Sequence, residues 1–491
     1  VQLAPDPSAA VHYDRRWLIL AVIGIAQLMV VLDVTIVNIA LPSAQRDLGF
    51  SDNDRQWVIT AYALAFGSLL LLGGRIADLF SRKWTFVVGL LGFAGSSALG
   101  GTAQNFDLLV AARALQGAFG AMLAPAALSL LATTFTDPAE RGKAFGIYAG
   151  IAGAGGAIGL LLGGALTELL DWRWCLYVSI VFAVPAAIAG TRLLHHVPVT
   201  SRSRLDVPGT LAASSGLFAL VFGLARAQSH GWGDPVTVGF LIASAILLAA
   251  FVALQRRVGH PLLPLRVVTD RDRGASFLAI GTASAGLFGL FLFLTFYLQN
   301  TKGFTPLQTG FAFLPLSFSI GPTVGIVSTR LLARTGPRPL VPTGMLSAGL
   351  GMVLLTRIGV DTEYVTHVLP SLILIGVGFG LVLAPSFAIA TVVPPQDSGV
   401  ASAMVNTSQQ IGGSIGTALL STLAATAATH FVNARGPAPG ALRQAAVHGY
   451  TTAFWWAAGI FAIGALVCGS LLRPGARPEL AHGADPVAAS T

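Results

Sequence analysis

Two charged residues stand inside apolar runs where charge is expensive: Asp33 in VVLDVTIVNIALP and Arg113 in LLVAARALQGAFG. An ionisable side chain at the centre of a membrane span costs about 2.5–3.5 kcal/mol on insertion scales, so it is functional by default. Read as helices that cross in opposite directions, the two runs carry these residues to similar depth. Asp33 lies nine residues from the end of its run at Pro42, roughly 13 Å at the α-helical rise. Arg113 lies seven residues into its own run from Phe106, roughly 10 Å deep. Opposite charges at matched depth can couple, directly or through water or Gln116. An aspartate that alternately holds and loses a cation alternately gives up and takes a proton, which is the chemistry of a proton carrier. The same pair can instead be static and only fix helix packing.

The elements that must position this pair are long apolar helices. The chain has 491 residues, 54% hydrophobic and 10% charged, with mean hydropathy +0.74. Soluble domains carry about 25% charged residues, so a chain this apolar reads as a polytopic, all-α integral membrane protein. The pattern predicts fourteen spans, at about 17–41, 56–77, 84–102, 107–133, 143–168, 173–194, 207–228, 235–255, 275–299, 306–332, 339–357, 366–392, 399–428 and 450–472. The first run is too long for a signal-peptide core of about 7–15 residues and holds Asp33, so it reads as a retained span. The net charge of +8 points to topology rather than nucleic acid. Twenty Lys and Arg residues fall on the face shared by the two termini and eight on the other, which predicts cytoplasmic N and C termini. Cys175 and Cys468 read as small apolar fillers near opposite faces.

The chain repeats itself. The charged turn GGRIADLFSRKWTF (Gly73–Phe86) has a weaker echo at Ser328–Val341, and Arg141-Gly142 an echo at Ser398-Gly399, both offset by about 255 residues. Two six-helix bundles, 17–198 and 274–473, therefore read as parallel pseudo-repeats. Two inserted helices (205–257) and a cytoplasmic linker (258–273) lie between them. A short N-terminal tail (1–16) and a disordered C-terminal tail (474–491) flank them. The linker mixes arginine with leucine, and reads equally as an amphipathic segment on the inner leaflet or as a solvated loop. Internal symmetry of this kind marks secondary transporters, with the binding site between the halves. Polar residues in the spans supply cavity candidates: Gln27, Asn38, Tyr62, Gln116, Asn406, Gln409 and Gln410, with Phe291 as an aromatic candidate. No metal-ligating cluster, nucleophile elbow or phosphate loop is present, so the sequence reads as a non-enzyme with no metal and no cofactor beyond a proton gradient.

Four stretches carry a family resemblance: LDVTIVNIALP (Leu32–Pro42), the Gly74–Lys83 turn, RALQG (Arg113–Gly117) and GLLLGG (Gly159–Gly164), supported by DWRW (Asp171–Trp174). With them the chain resembles the major facilitator superfamily and, within it, the fourteen-span drug:proton antiporters. The resemblance implies that Gly74, Asp78, Arg82 and Arg141 form a gate that locks one state and breaks in the other. It also implies that the Gly159, Gly163 and Gly164 surface of the fifth span lets the opposite bundle rock against it. The chain departs from the family pattern at Leu79 (usually basic), Ser81 (usually Gly) and Leu160 (usually Pro). The expectation is thus a monomeric, proton-coupled exporter of small lipophilic or cationic compounds in the cell's inner (plasma) membrane, working by alternating access. A metabolite importer driven by protons, or a lipid flippase of the same fold, remains the alternative.

Overall fold

A computed structural model describes residues 7–51, 54–135, 138–194, 206–258, 261–393, 397–435 and 440–474. The first half comprises α1 (Pro7–Leu48), α2 (Arg55–Leu79), α3 (Arg82–Gly101), α4 (Phe106–Thr134), α5 (Pro138–Leu169) and α6 (Trp174–Leu193). The inserted pair is α7 (Val207–His230) and α8 (Pro235–Gln255), followed by the short linker helix α9 (Leu265–Thr269). The second half comprises α10 (Arg271–Phe296), α11 (Pro306–Ile326), the short α12 (Leu332–Thr335), α13 (Pro337–Leu355), α14 (Leu369–Ala390), α15 (Ser398–Arg435) and α16 (Ala441–Leu471). The helix of α1 begins at Pro7, inside the segment read from sequence as a tail. The tail beyond Pro474 lies outside the described residues.

The expectation of fourteen spans is corrected to twelve: among the described residues, twelve helices are long and apolar enough to cross a membrane. The two that fall short are α2 and α5, whose described apolar stretches are only Trp57–Leu70 and Ile158–Leu169, below the roughly 20 residues of a span. Each stretch is bounded by a side chain outside the described residues, Leu71 after Leu70 in α2 and Ala157 before Ile158 in α5.

The two halves repeat each other in packing. In the first, α1 lies against α5; in the second, α10 lies against α15. Across the interface, α5 packs on α11 and α15 packs on α2, so each half's fifth helix meets the other's second. An ion pair ties the first and fifth helices of the first half, Arg16 to Glu140 at 2.7 Å. The repeat offset places Asp397, just before α15, at the position of Glu140, and Asp397 accepts both Nε and Nη2 of Arg266 at 3.0–3.2 Å.

α7 packs on α2, α8 and α15, which places the inserted pair on the flank of the interface. Ile242 and Ile246 of α8 are 55% and 63% exposed, as a lipid-facing helix requires. The described part of the linker packs on the inserted pair. Leu262 and Leu263 are buried against Ala213 and Phe251. The Leu263 N–H donates to Gln255 Oε1 at 3.0 Å, and Gln255 Nε2 donates to the buried Asp206 at 2.7 Å.

Candidate functional site

Asp33 on α1 and Arg113 on α4 meet in the first half, both almost completely buried. Arg113 Nη1 donates to Asp33 Oδ2 at 2.7 Å and to Gln116 Oε1 at 2.6 Å. Gln116 Nε2 closes the triangle by donating to Asp33 Oδ1 at 2.7 Å. Arg113 and Gln116 sit three apart on α4, so one helical face presents both. Charge-assisted bonds of this kind satisfy both carboxylate oxygens in a low-dielectric site. The guanidinium has a second set of contacts on α2: Nε donates to the Val58 carbonyl at 3.2 Å, and its carbon lies 4.7 Å from the centre of the Tyr62 ring.

Glycine brings these helices close enough. A Cβ on Gly117 would lie 2.3 Å from the Tyr62 carbonyl oxygen, so only glycine lets α4 seat against α2 here. On the other flank of Asp33, a Cβ on Gly159 would meet Thr35 Oγ1 at 1.9 Å, and one on Gly163 would meet the Ile36 Cα at 3.0 Å. Between the triad and the end of the bundle remote from Pro7 and Leu471, Arg113 and Cys175 join Val37, Ala40, Leu41, Leu109 and Trp172 in lining a void of about 10 Å³. That is about one water in size. Trp172 is held over it by an Nε1–H bond to Asp47 at 3.1 Å, and Arg173 pairs with Asp47 at 2.8 Å.

The other sequence candidates scatter. Gln27 accepts from the Tyr148 hydroxyl at 2.6 Å, joining α1 to α5. Asn38 turns back on its own helix and donates to the Val34 carbonyl at 2.7 Å. Phe291 packs on Phe313 with ring centres 5.2 Å apart. Asn406 and Gln409 are half-buried on α15. Gln410 on the same helix lies against α2, where a Cβ on Gly67 would stand 3.5 Å from its own Cβ.

Among the gating candidates, Gly74 would tolerate a Cβ, at 3.6 Å from Pro125. Arg82 is half-buried at the start of α3. Ser81, where the family has glycine, caps α3 by accepting from the Trp84 N–H at 3.5 Å. The side chains of Asp78 and Arg141 lie outside the described residues. The three glycines of the fifth span divide their work: Gly159 and Gly163 serve α1, and only Gly164 meets the opposite half.

What the sequence did not single out is a closure between the halves at the end remote from the termini. A Cβ on Gly164 would lie 2.7 Å from Leu307 Cα and from the Pro306 carbonyl oxygen; reciprocally, one on Gly310 would lie 2.6 Å from the Leu160 oxygen. Glu168 accepts the Leu307 N–H at the start of α11 at 3.1 Å, and Gln299 donates to the Ile39 carbonyl at 3.2 Å. Arg55 lies over the Phe296 ring at 3.9 Å. The one available signal was Glu168 itself, an acid closing a glycine-rich span. Arg55→Ala is expected to loosen this closure. A cation–π contact of about 0.5–2 kcal/mol corresponds to roughly a two- to thirtyfold shift toward the open form. Pulsed-EPR distances between spin labels at Arg46→Cys and Lys302→Cys would then gain a longer population. An unchanged distribution would show that the contact does not hold the closure.

A protein-family model described as Major Facilitator Superfamily matches residues 23–417. Puromycin resistance protein pur8 of Streptomyces alboniger is 52% identical over 472 residues, covering 95% of this chain and 92% of that protein. Cephamycin export protein CmcT of Amycolatopsis lactamdurans is 36% identical over 403 residues, covering 81% and 83%. The fold is similar to that of a bacterial homologue of the human lysosomal transporter Spinster, solved in an inward-facing, unoccupied conformation. The TM-score is 0.64 at 15% identity, covering 93% of this chain and 96% of that one.

Proposed function

The chain belongs to the major facilitator superfamily, a family of multi-pass membrane transporters rather than enzymes, and on that premise we propose that it exports an antibiotic-like small molecule in exchange for protons. The observation that carries this reading is the buried Asp33–Arg113–Gln116 triad in a chain 52% identical, nearly end to end, to a puromycin resistance protein. Puromycin is accordingly the first substrate to test. In this proposal the protein works as a monomer in the plasma membrane, with both termini in the cytoplasm. The charge bias of its loops supports that orientation. The closure of Gly164, Glu168, Arg55 and Gln299 then lies on the outer side, and the described conformation is closed to the outside.

In the cycle we propose, the outer closure opens and a proton reaches Asp33 from outside. Protonation removes the charge that Arg113 and Gln116 hold, and the halves rock about the α5–α11 and α2–α15 contacts. Opening to the cytoplasm restores the carboxylate and admits substrate. The test is drug susceptibility. A sensitive host expressing the chain should survive severalfold higher puromycin, and a protonophore should abolish the protection. Protection that persists with the gradient collapsed would remove proton coupling. Absence of protection against puromycin, a cephamycin and lincomycin alike would remove the antibiotic-export reading.

A further inference from the structure

We infer that Tyr62 is a positioning residue for the proton site, holding the Arg113 guanidinium against Asp33 through the face of its ring, and that it does not serve as a substrate contact. The inference rests on the reading of Asp33 as proton carrier and deepens it.

The geometry divides the contacts of Arg113 into two sets. Asp33 and Gln116 take Nη1; the Val58 carbonyl and the Tyr62 ring take the opposite flank. Val58 and Tyr62 are four residues apart on α2, so one helical face forms the whole cradle. A guanidinium over an aromatic face is attracted by the ring quadrupole, more strongly where water is absent. Tyr62 is only 3% exposed. Its ring is itself fixed, stacked on Phe66 with centres 5.6 Å apart and edge-on to Phe93 at 6.4 Å. Its hydroxyl has no hydrogen-bond partner, so the ring and not the phenol carries the contact.

The consequence follows from what protonation removes. A proton arriving on Asp33 Oδ2 displaces the Arg113 bond to that oxygen. The cation keeps Gln116 Oε1, the Val58 carbonyl and the ring, and so stays where the carboxylate can recapture it. Without the ring, the guanidinium gains rotamer freedom in both states. The ion pair then loses most, because the full charge of Asp33 attracts the cation more strongly than the neutral oxygens of Gln116 and Val58. Protonated Asp33 is favoured as a result. Among the described residues, the titratable or charged groups facing Asp33 are Arg113 on α4, Tyr62 on α2 and Cys175 on α6, while α5 presents Gly159 and Gly163.

The proton occupancy of Asp33 can be read without a substrate. Dicyclohexylcarbodiimide partitions into membranes and modifies protonated carboxyls, and mass spectrometry of the Asp33 peptide scores the extent at a chosen pH. Tyr62→Phe keeps the ring and should label like the wild type. Tyr62→Leu should label about threefold to tenfold more at the same pH. Pentafluorophenylalanine at position 62 keeps the packing, inverts the charge of the ring face and should behave like the leucine variant, which covers a leucine protein that fails to fold. Equal labelling of wild type and the fluorinated variant across the pH range would overturn the inference and leave the carrier reading standing. Failure of wild-type Asp33 to label at any pH would overturn the carrier reading itself. A loss confined to Tyr62→Phe would instead assign the hydroxyl, and also overturn the inference.

Discussion

Asp33→Asn is expected to abolish proton-driven efflux while leaving substrate exchange across the membrane intact. Asparagine matches aspartate in size and keeps a carbonyl oxygen for Arg113, but it cannot take and release a proton. The site is 1% exposed, and both carboxylate oxygens are taken, Oδ2 by Arg113 and Oδ1 by Gln116. Removing one partner of a buried ion pair costs about 3–5 kcal/mol when nothing replaces it. Asp33→Ala is therefore expected to fold poorly. The asparagine variant should be milder, because Arg113 retains Val58 and Gln116 and still donates to a neutral carbonyl oxygen at position 33. In proteoliposomes, an imposed pH gradient should no longer drive puromycin uphill, yet labelled puromycin should still exchange with unlabelled. An Asp33→Asn protein that still pumps against a gradient would place the proton carrier elsewhere.

The second large effect is expected at the closure between the halves, which the proposed orientation puts on the outer side. Gly164→Leu introduces a side chain whose first carbon already falls 2.7 Å from Leu307 Cα and the Pro306 oxygen. Those are backbone atoms, held at the start of α11 by the Thr305 cap and its reciprocal Gln308 bond, so they cannot yield as a side-chain tip would. Overpacking costs about 1–3 kcal/mol, and here the cost falls only on the closed state. The ratio of states should move roughly 5- to 150-fold toward outward-open. A cysteine placed by Gln299→Cys should then react much faster with a membrane-impermeant maleimide added outside, and efflux should fall in proportion. Gly159→Ala is the instructive contrast. Its conflict is with Thr35 of the same half, so it should cost stability without favouring either state. Maleimide rates equal with and without the Gly164→Leu change would show that this contact is not what closes the outer face.

The division of labour among the three glycines shows where sequence reasoning stopped. Their spacing marks a knobless helical surface, but spacing cannot say which neighbour occupies it. Gly159 and Gly163 receive α1, and Gly164, one residue on, turns far enough around the helix to receive α11. Asn38 and Tyr62 show the same limit. The sequence cannot distinguish a polar residue that lines a cavity from one that bonds back to the preceding turn, as Asn38 does, or one whose ring lies against a buried cation, as that of Tyr62 does. The span count differs at α2 and α5, where the described apolar stretches run only Trp57–Leu70 and Ile158–Leu169.

By itself the sequence determined the class of molecule, the repeat of its halves and the charged pair buried in the first half. Each rests on a cost that no folding context removes: a chain this apolar needs lipid, and a charge inside a span needs both a partner and a purpose. The helical rise even matched Asp33 and Arg113 in depth, because rise per residue is a property of the backbone alone. Only the tertiary structure decided that Gln116 closes the triangle, that Tyr62 and Val58 cradle the cation, and that Arg55, Glu168, Gln299 and Gly164 join the halves at one end. Those contacts link residues far apart in the chain, and their geometry depends on how helices are rotated and how closely glycine lets them approach, which no local pattern encodes.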